Sequence, residues 1–282
     1  MRSTPFTILD TEGRIVGVLA GHPGDEGWDQ VAADANQAMT DAAKACVFDK
    51  DQRDHRRGHF ATLARGVSFG GGQLAPGNLI NEPGNEQALE ALCQHPAMVR
   101  IAGFGDSLLA TYAPRVFKNM QSKLKRLFEH HPSLSSNFHN SVYPAASFNF
   151  GPATVCLPHK DFANDACNFC HITALGRYNP KTSGQIVLVQ YKMIIEFPPG
   201  SSILIPSAIV THANLPIQPG EDRQSFTQYC AGGLIRWVDA GFCTLRALSR
   251  DDPVGKAAFD RYAEGRLEEC LELFSLYDDL TS

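Results

Sequence analysis

Five residues in the second half of this chain could do chemistry together: His159 and Asp161 in PHKDF, His212 in THANL, and Arg223 with Ser225 in DRQSF. A histidine and a carboxylate one residue apart on a strand, followed later by a second histidine, can form the 2-His-1-carboxylate facial triad of a non-haem Fe(II) oxygenase. Such a triad leaves positions free for a co-substrate and O2. Arg223 stands eleven residues beyond His212. A planar guanidinium there can give two parallel charge-assisted hydrogen bonds to the distal carboxylate of 2-oxoglutarate. The expected chemistry is Fe(II)/2-oxoglutarate-dependent dioxygenation, with His159, Asp161 and His212 as metal ligands.

With ten histidines in 282 residues, an HxD pattern alone arises by chance. The bland reading makes His159 and His212 surface or core histidines and Arg223 a solvated charge. Order and context favour the triad. The segments HITALGRY, GQIVLVQYKMIIEF and SSILIPSAIV that follow Asp161 are rich in β-branched residues and broken by Gly and Pro, as short strands are. A small barrel or jelly roll built from such strands carries ligands on neighbouring strands at its mouth.

The elements that must position these residues are legible from periodicity. Residues 5–20 read as a hairpin around the polar turn DTEG, and residues 27–46 as an amphipathic helix with Trp28, Val31, Ala35, Met39 and Ala42 on one face. Pro114 opens a further helix whose Lys118, Lys123, Lys125 and Arg126 are expected to form a solvated face. The glycine-rich stretch 66–77 lacks the Gly-Lys-Ser/Thr ending of a phosphate-binding loop and is expected near the substrate cleft. The expected architecture is α+β: one domain over 1–282, with a mainly helical part at 1–140, a double-stranded β-helix (jelly-roll) core at 141–245 holding the iron site, and a C-terminal helix at 250–282.

A net charge of −5 writes no global attraction to nucleic acid or anionic membranes into the composition, though a local basic groove remains allowed. No apolar run approaches a membrane span, and the start of the chain lacks the pattern of an export signal. The eight scattered cysteines fit a reducing intracellular compartment, with most of them expected to act as small hydrophobes. Cys167-Asn168-Phe169-Cys170-His171 matches the signature of covalent haem attachment. Its place six residues after Asp161, inside a strand-rich core, favours a chance match with cysteines packing near the site.

Three blocks then carry a resemblance: FNFGPATVCLPHKDFAN, GSSILIPSAIVTHANLPI and RQSFTQY. They resemble the TET/JBP family of nucleic-acid-modifying dioxygenases, in particular its compact fungal Tet-like members. The family's HxDxxN pattern stands here as His159, Asp161 and Asn164, and its RxSxxxY pattern as Arg223, Ser225 and Tyr229. The resemblance implies that His159, Asp161 and His212 ligate iron and that Arg223 and Ser225 bind 2-oxoglutarate. It further implies that Arg56 or Arg57 contacts the co-substrate's other end, that Asn164 hydrogen-bonds the target base and that Tyr229 stacks on it. DNA containing methylated bases is the implied partner, with a nuclear location and no membrane or obligate protein partner. The chain departs from animal members in carrying Ala231 two residues after the stacking tyrosine, where they have a histidine, and in lacking their cysteine-rich zinc-binding extension.

The first functional expectation is therefore oxidation of 5-methylcytosine to 5-hydroxymethylcytosine and further products, with N6-methyladenine demethylation a close variant. A 2-oxoglutarate oxygenase acting on a small molecule or a protein side chain, and a silent binding module that keeps the fold, are the alternatives.

Overall fold

The computed structural model describes residues 4–281; residues 1–3 and 282 of the expected domain span lie outside the described residues. The elements in chain order are β1 (Phe6–Leu9), β2 (Ile15–Gly21), α1 (Trp28–Ala45), α2 (Lys50–Arg53), β3 (Thr62–Ser68), β4 (Gly77–Asn78), α3 (Pro83–Gln94), α4 (Pro96–Tyr112) and α5 (Pro114–His130). There follow β5 (Ala145–Asn149), β6 (Cys170–Arg177), β7 (Ile186–Leu188), β8 (Met193–Ile195), β9 (Ser202–Ile205), β10 (His212–Asn214) and β11 (Asp222–Tyr229). The chain ends with α6 (Gly232–Asp239), α7 (Leu245–Asp251), α8 (Pro253–Leu273) and α9 (Tyr277–Thr281).

Eight strands form the major sheet in the order β1-β2-β9-β6-β11-β5-β3-β4, and β10-β7-β8 form a minor one. All pairings within them are antiparallel. An apolar cluster including Ile172, Ala174, Ile186, Leu188, Ile203 and Ile205 packs strands of the two sheets together. This is the jelly-roll core. On the outer face of the major sheet, Phe148, Phe150, Leu175 and Phe226 pack with residues of α1, α3 and α4 such as Met39, Leu89 and Met98. The expected hairpin at 5–20 forms, its turn closed by Asp10 Oδ1, which accepts from the backbone N–H groups of Glu12 and Arg14. The region before residue 141 also supplies β1 and β2 at one edge of the major sheet and β3 and β4 at the other.

The strand period of two decides what β11 presents to each side. Gln224, Phe226 and Gln228 face the helices: Gln224 Nε2 donates to Asn36 Oδ1 in α1 at 2.9 Å, and Gln228 Nε2 to the Ala102 carbonyl in α4 at 3.2 Å. Arg223, Ser225 and Thr227 therefore face the minor sheet. On the outer side, α1 is anchored by Trp28, which is buried and donates its indole N–H to the Gly200 carbonyl at 2.8 Å.

Three expectations need correction or refinement. Cys167 and Cys270 are not reduced hydrophobes but a disulfide that ties the loop after Asp161 to α8, with Cα atoms 5.0 Å apart. Their separation of 103 positions left nothing in the sequence to pair them. Lys123 is not on a solvated face: α6 brings Asp239 to it at 2.9 Å. The glycine-rich stretch splits, with residues 66–68 ending β3 and Phe69 packing edge-on against Trp237. It does not line the cavity that holds the triad.

Because the disulfide closes a long loop, its removal should cost about 2–4 kcal/mol of stability. Urea denaturation of the wild type and of Cys270→Ser, each with and without dithiothreitol, checks this. The reductant should shift only the wild type.

Candidate active site

Residues 159–164 approach β10 and the end of β11 as bridging segments rather than as a long strand. His159 and His212 exchange backbone hydrogen bonds at 3.1 and 3.0 Å, which sets their rings side by side with centroids 4.2 Å apart. Asp161 is fixed by its own N–H, which donates to the Ser207 carbonyl at 2.9 Å. Its carboxylate lies 3.8 Å from Nε2 of each histidine. The three donor atoms all fall within 4.8 Å of one another.

The second nitrogen of each ring is committed. His159 Nδ1 bonds the Leu157 carbonyl at 2.7 Å and His212 Nδ1 the Val210 carbonyl at 3.0 Å. A carbonyl accepts only from N–H, so each Nδ1 carries the proton and each Nε2 turns its lone pair toward Asp161, as metal-ligating histidines do. Burial, followed by the neighbouring His212, lowers the pKa of His159 to about 4, which keeps that lone pair unprotonated at neutral pH. Two imidazoles and a carboxylate converging in this way suit Fe(II).

Arg223 shares the cavity with the triad. It is 1% exposed. NH1 donates to the Thr154 carbonyl at 2.7 Å, whereas Nε is buried without a partner. Among the described residues no carboxylate forms an ion pair with it, and a buried cation with an unmet donor is costly unless an anion joins it. The pocket is cut to the guanidinium's shape: Gly184 sits at φ +65°, and a Cβ there would come within 2.9 Å of Arg223 Cδ. In charge and hydrogen-bonding, Arg223 could hold a carboxylate such as the distal one of 2-oxoglutarate.

Ser225 also lines the cavity and belongs to a polar ladder across three strands. Arg57 NH2 donates to Thr62 Oγ1 at 3.1 Å, Thr62 donates to Asn149 Oδ1 at 2.9 Å, and Asn149 Nδ2 donates to Ser225 Oγ at 3.1 Å. Arg56 and Arg57 differ in position. Arg57 lines the cavity, while Arg56 lies outside it, half-exposed. Asn149 was missed from sequence; its one signal was a polar residue ending the fully buried strand AASFN. Cys156, Asn214 and Thr227, also on the lining, carried no signal.

Asn164 and Tyr229 stand outside the lining. Both amide N–H groups of Asn164 are used internally, on Ser207 Oγ and Cys170 Sγ at 3.2 Å each, which leaves its carbonyl oxygen as an acceptor. Tyr229 is half-buried against the inter-sheet cluster. Burial pushes its hydroxyl up to about 12, so it is a neutral phenol.

The haem-like motif is structural. Cys170 packs against Ser207 and Asn164, and Cys167 is in the disulfide. His171 is fully buried under Gly105 and bonded to Ser202, Thr173 and Gln228. Burial alone lowers its pKa to about 3. The folded state thus refuses a proton that the unfolded chain takes below about 6.5, so this residue should make stability fall as pH falls from about 6.5 to about 3. Its share of the slope is about 1.4 kcal/mol per pH unit. Denaturant titrations of His171→Gln between pH 6 and pH 4 should show a flatter slope than the wild type, even if the variant starts less stable.

No helix among the described residues is long and apolar enough to cross a membrane. No family model matches the chain, and no curated protein does. Among solved structures, NgTET1 in complex with 5mC DNA superposes with a TM-score of 0.57 at 15% identity, over 83% of this chain and 78% of that one. A 2OG-Fe(II) oxygenase family oxidoreductase from Burkholderia pseudomallei gives a TM-score of 0.37 at 17% identity, over 73% of this chain and 91% of that one. A Pseudomonas putida prolyl-4-hydroxylase gives 0.34 at 14% identity, over 72% and 87%. With NgTET1 the chain shares a fold, a jelly-roll core flanked by helices.

Proposed function

We propose that the chain is an Fe(II)/2-oxoglutarate-dependent dioxygenase that oxidises a methylated DNA base, 5-methylcytosine first. The observation that carries the enzymatic part is the buried Arg223, without a carboxylate partner among the described residues, in one cavity with the converging triad. Fe(II) held by His159, Asp161 and His212 would couple the oxidation of 2-oxoglutarate to succinate and CO2 with insertion of an oxygen atom from O2 into a substrate C–H bond. The protein's own residues have three tasks. The backbone carbonyls of Leu157 and Val210 hold the imidazole tautomers, Arg223 and Ser225 orient the co-substrate, and the apolar walls Ile172, Ile186 and Phe197 exclude water. Arg57 is the candidate for the co-substrate's other end.

The DNA part rests on the HxDxxN and RxSxxxY resemblance and on the fold shared with a protein solved in complex with 5mC DNA. A stacked base cannot reach a recessed metal and must be extruded. Protein incubated with Fe(II), ascorbate, 2-oxoglutarate and methylated DNA should yield oxidised nucleosides by mass spectrometry. Succinate without a DNA product would turn the reading toward a small-molecule or protein substrate.

Tyr229→Ala should lower methylated-DNA turnover about tenfold or more while succinate formation without DNA persists, because an aromatic platform is worth about 1–3 kcal/mol per base. Tyr229→Phe should keep most activity. Asn164→Ala should mainly relax discrimination between target bases, since a single acceptor reads an exocyclic amino group without holding the co-substrate. Equal loss of DNA-dependent and DNA-independent turnover would give both residues a structural role.

A further inference from the structure

The residue after Asp161 is a phenylalanine left in water. Phe162 is 76% exposed and occupies the tip of a turn closed by the Asn164 N–H on the Asp161 carbonyl at 2.8 Å. That turn is braced from behind, because Gly232 N–H donates to the Ala163 carbonyl and the Asn164 side chain is held by Ser207 and Cys170. A rigid turn therefore presents the ring outward.

An exposed apolar residue is by itself ordinary. This ring, however, is clamped. The Arg56 guanidinium carbon lies 5.0 Å from its centroid, with NH1 donating to the Lys160 carbonyl at 2.9 Å and NH2 3.5 Å from Asp161 Oδ1. An aromatic ring with a cation on one side and water on the other is a stacking platform, and it sits one residue from a triad ligand. Arg56 places positive charge beside it on a chain whose net charge is −5, which suits a phosphate backbone approaching at this point. Since Phe162 does not line the cavity, it would touch what stays outside when a base goes in.

We propose that Phe162, clamped by Arg56 on one face, stacks its open face on a base that borders the gap left in duplex DNA when the target base is extruded toward the triad. The inference rests on the methylated-base reading. A vacated stack exposes two base faces to water, and the open face of the ring covers one of them.

The test compares Phe162→Ala and Phe162→Trp with the wild type on one methylated sequence, as a duplex and as a single strand. A single strand has no paired stack to keep open. Phe162→Ala should lower kcat/KM on the duplex about tenfold and change it less than about twofold on the single strand. Phe162→Trp should retain duplex activity, and its new exposed indole should be quenched on duplex binding. Wild-type activity on DNA with an unimpaired Phe162→Ala would overturn the stacking role alone. Equal losses on both substrates would likewise overturn it, since they would mean a disturbed Asp161. Wild-type succinate formation with no oxidation of either DNA would instead remove the methylated-base reading beneath it.

Discussion

His212→Ala and Asp161→Ala are each expected to lower turnover by more than about 100-fold and to weaken Fe(II) binding, while far-ultraviolet circular dichroism stays that of the wild type. Even outer partners of metal ligands typically cost about 10–100-fold when removed, and these two residues supply the donor atoms themselves. The fold should survive, because the backbone hydrogen bonds between His159 and His212 and from Asp161 to Ser207 do not depend on the side chains. Removing Asp161 also leaves the two Nε2 lone pairs without a carboxylate, so the residual site is a two-nitrogen donor with weak preference for a hard-to-borderline divalent ion. Fe(II) titration under anaerobic conditions, paired with succinate measurement, reads both effects. Near-normal turnover in either variant would end the triad assignment.

How much of this was written in the sequence differs from residue to residue. The triad was legible because its three members have distinctive chemistry and lie close to strands whose apolar runs are unmistakable. The face of β11 was legible too, since a period of two sends Arg223 and Ser225 the same way once one of them is placed. The polar ladder from Arg57 to Ser225 was not. It joins β3, β5 and β11 across up to 87 positions, and strand order is set by packing rather than by any local pattern. The Cys167–Cys270 bridge was hidden for the same reason. So was Lys123, whose helix-face position reads as solvated until α6 brings Asp239 to it. The clamp of Arg56 on Phe162 could not be read either, because its partners are 106 positions apart and no local pattern joins them.

Arg223→Ala should reduce 2-oxoglutarate affinity by about 2 kcal/mol or more, roughly 30-fold, with Fe(II) binding unchanged. Arg223→Lys should recover only part, since an ammonium keeps the charge but not the planar pair of donors that a carboxylate accepts. Calorimetric titration of the co-substrate into the Fe(II)-loaded protein without O2 measures this directly. A second signature separates a binding residue from a structural one. Among the described residues no carboxylate pairs with the guanidinium and its Nε is buried without a partner, a cost that the bond to Thr154 and the Tyr178 ring offset only in part. Arg223→Met, which keeps the volume and removes the charge, should therefore leave the urea midpoint unchanged or raise it, and should lose the stabilisation that saturating 2-oxoglutarate gives the wild type. A lowered midpoint combined with intact 2-oxoglutarate affinity would make Arg223 a packing residue bonded to Thr154, and another cation would then have to hold the co-substrate.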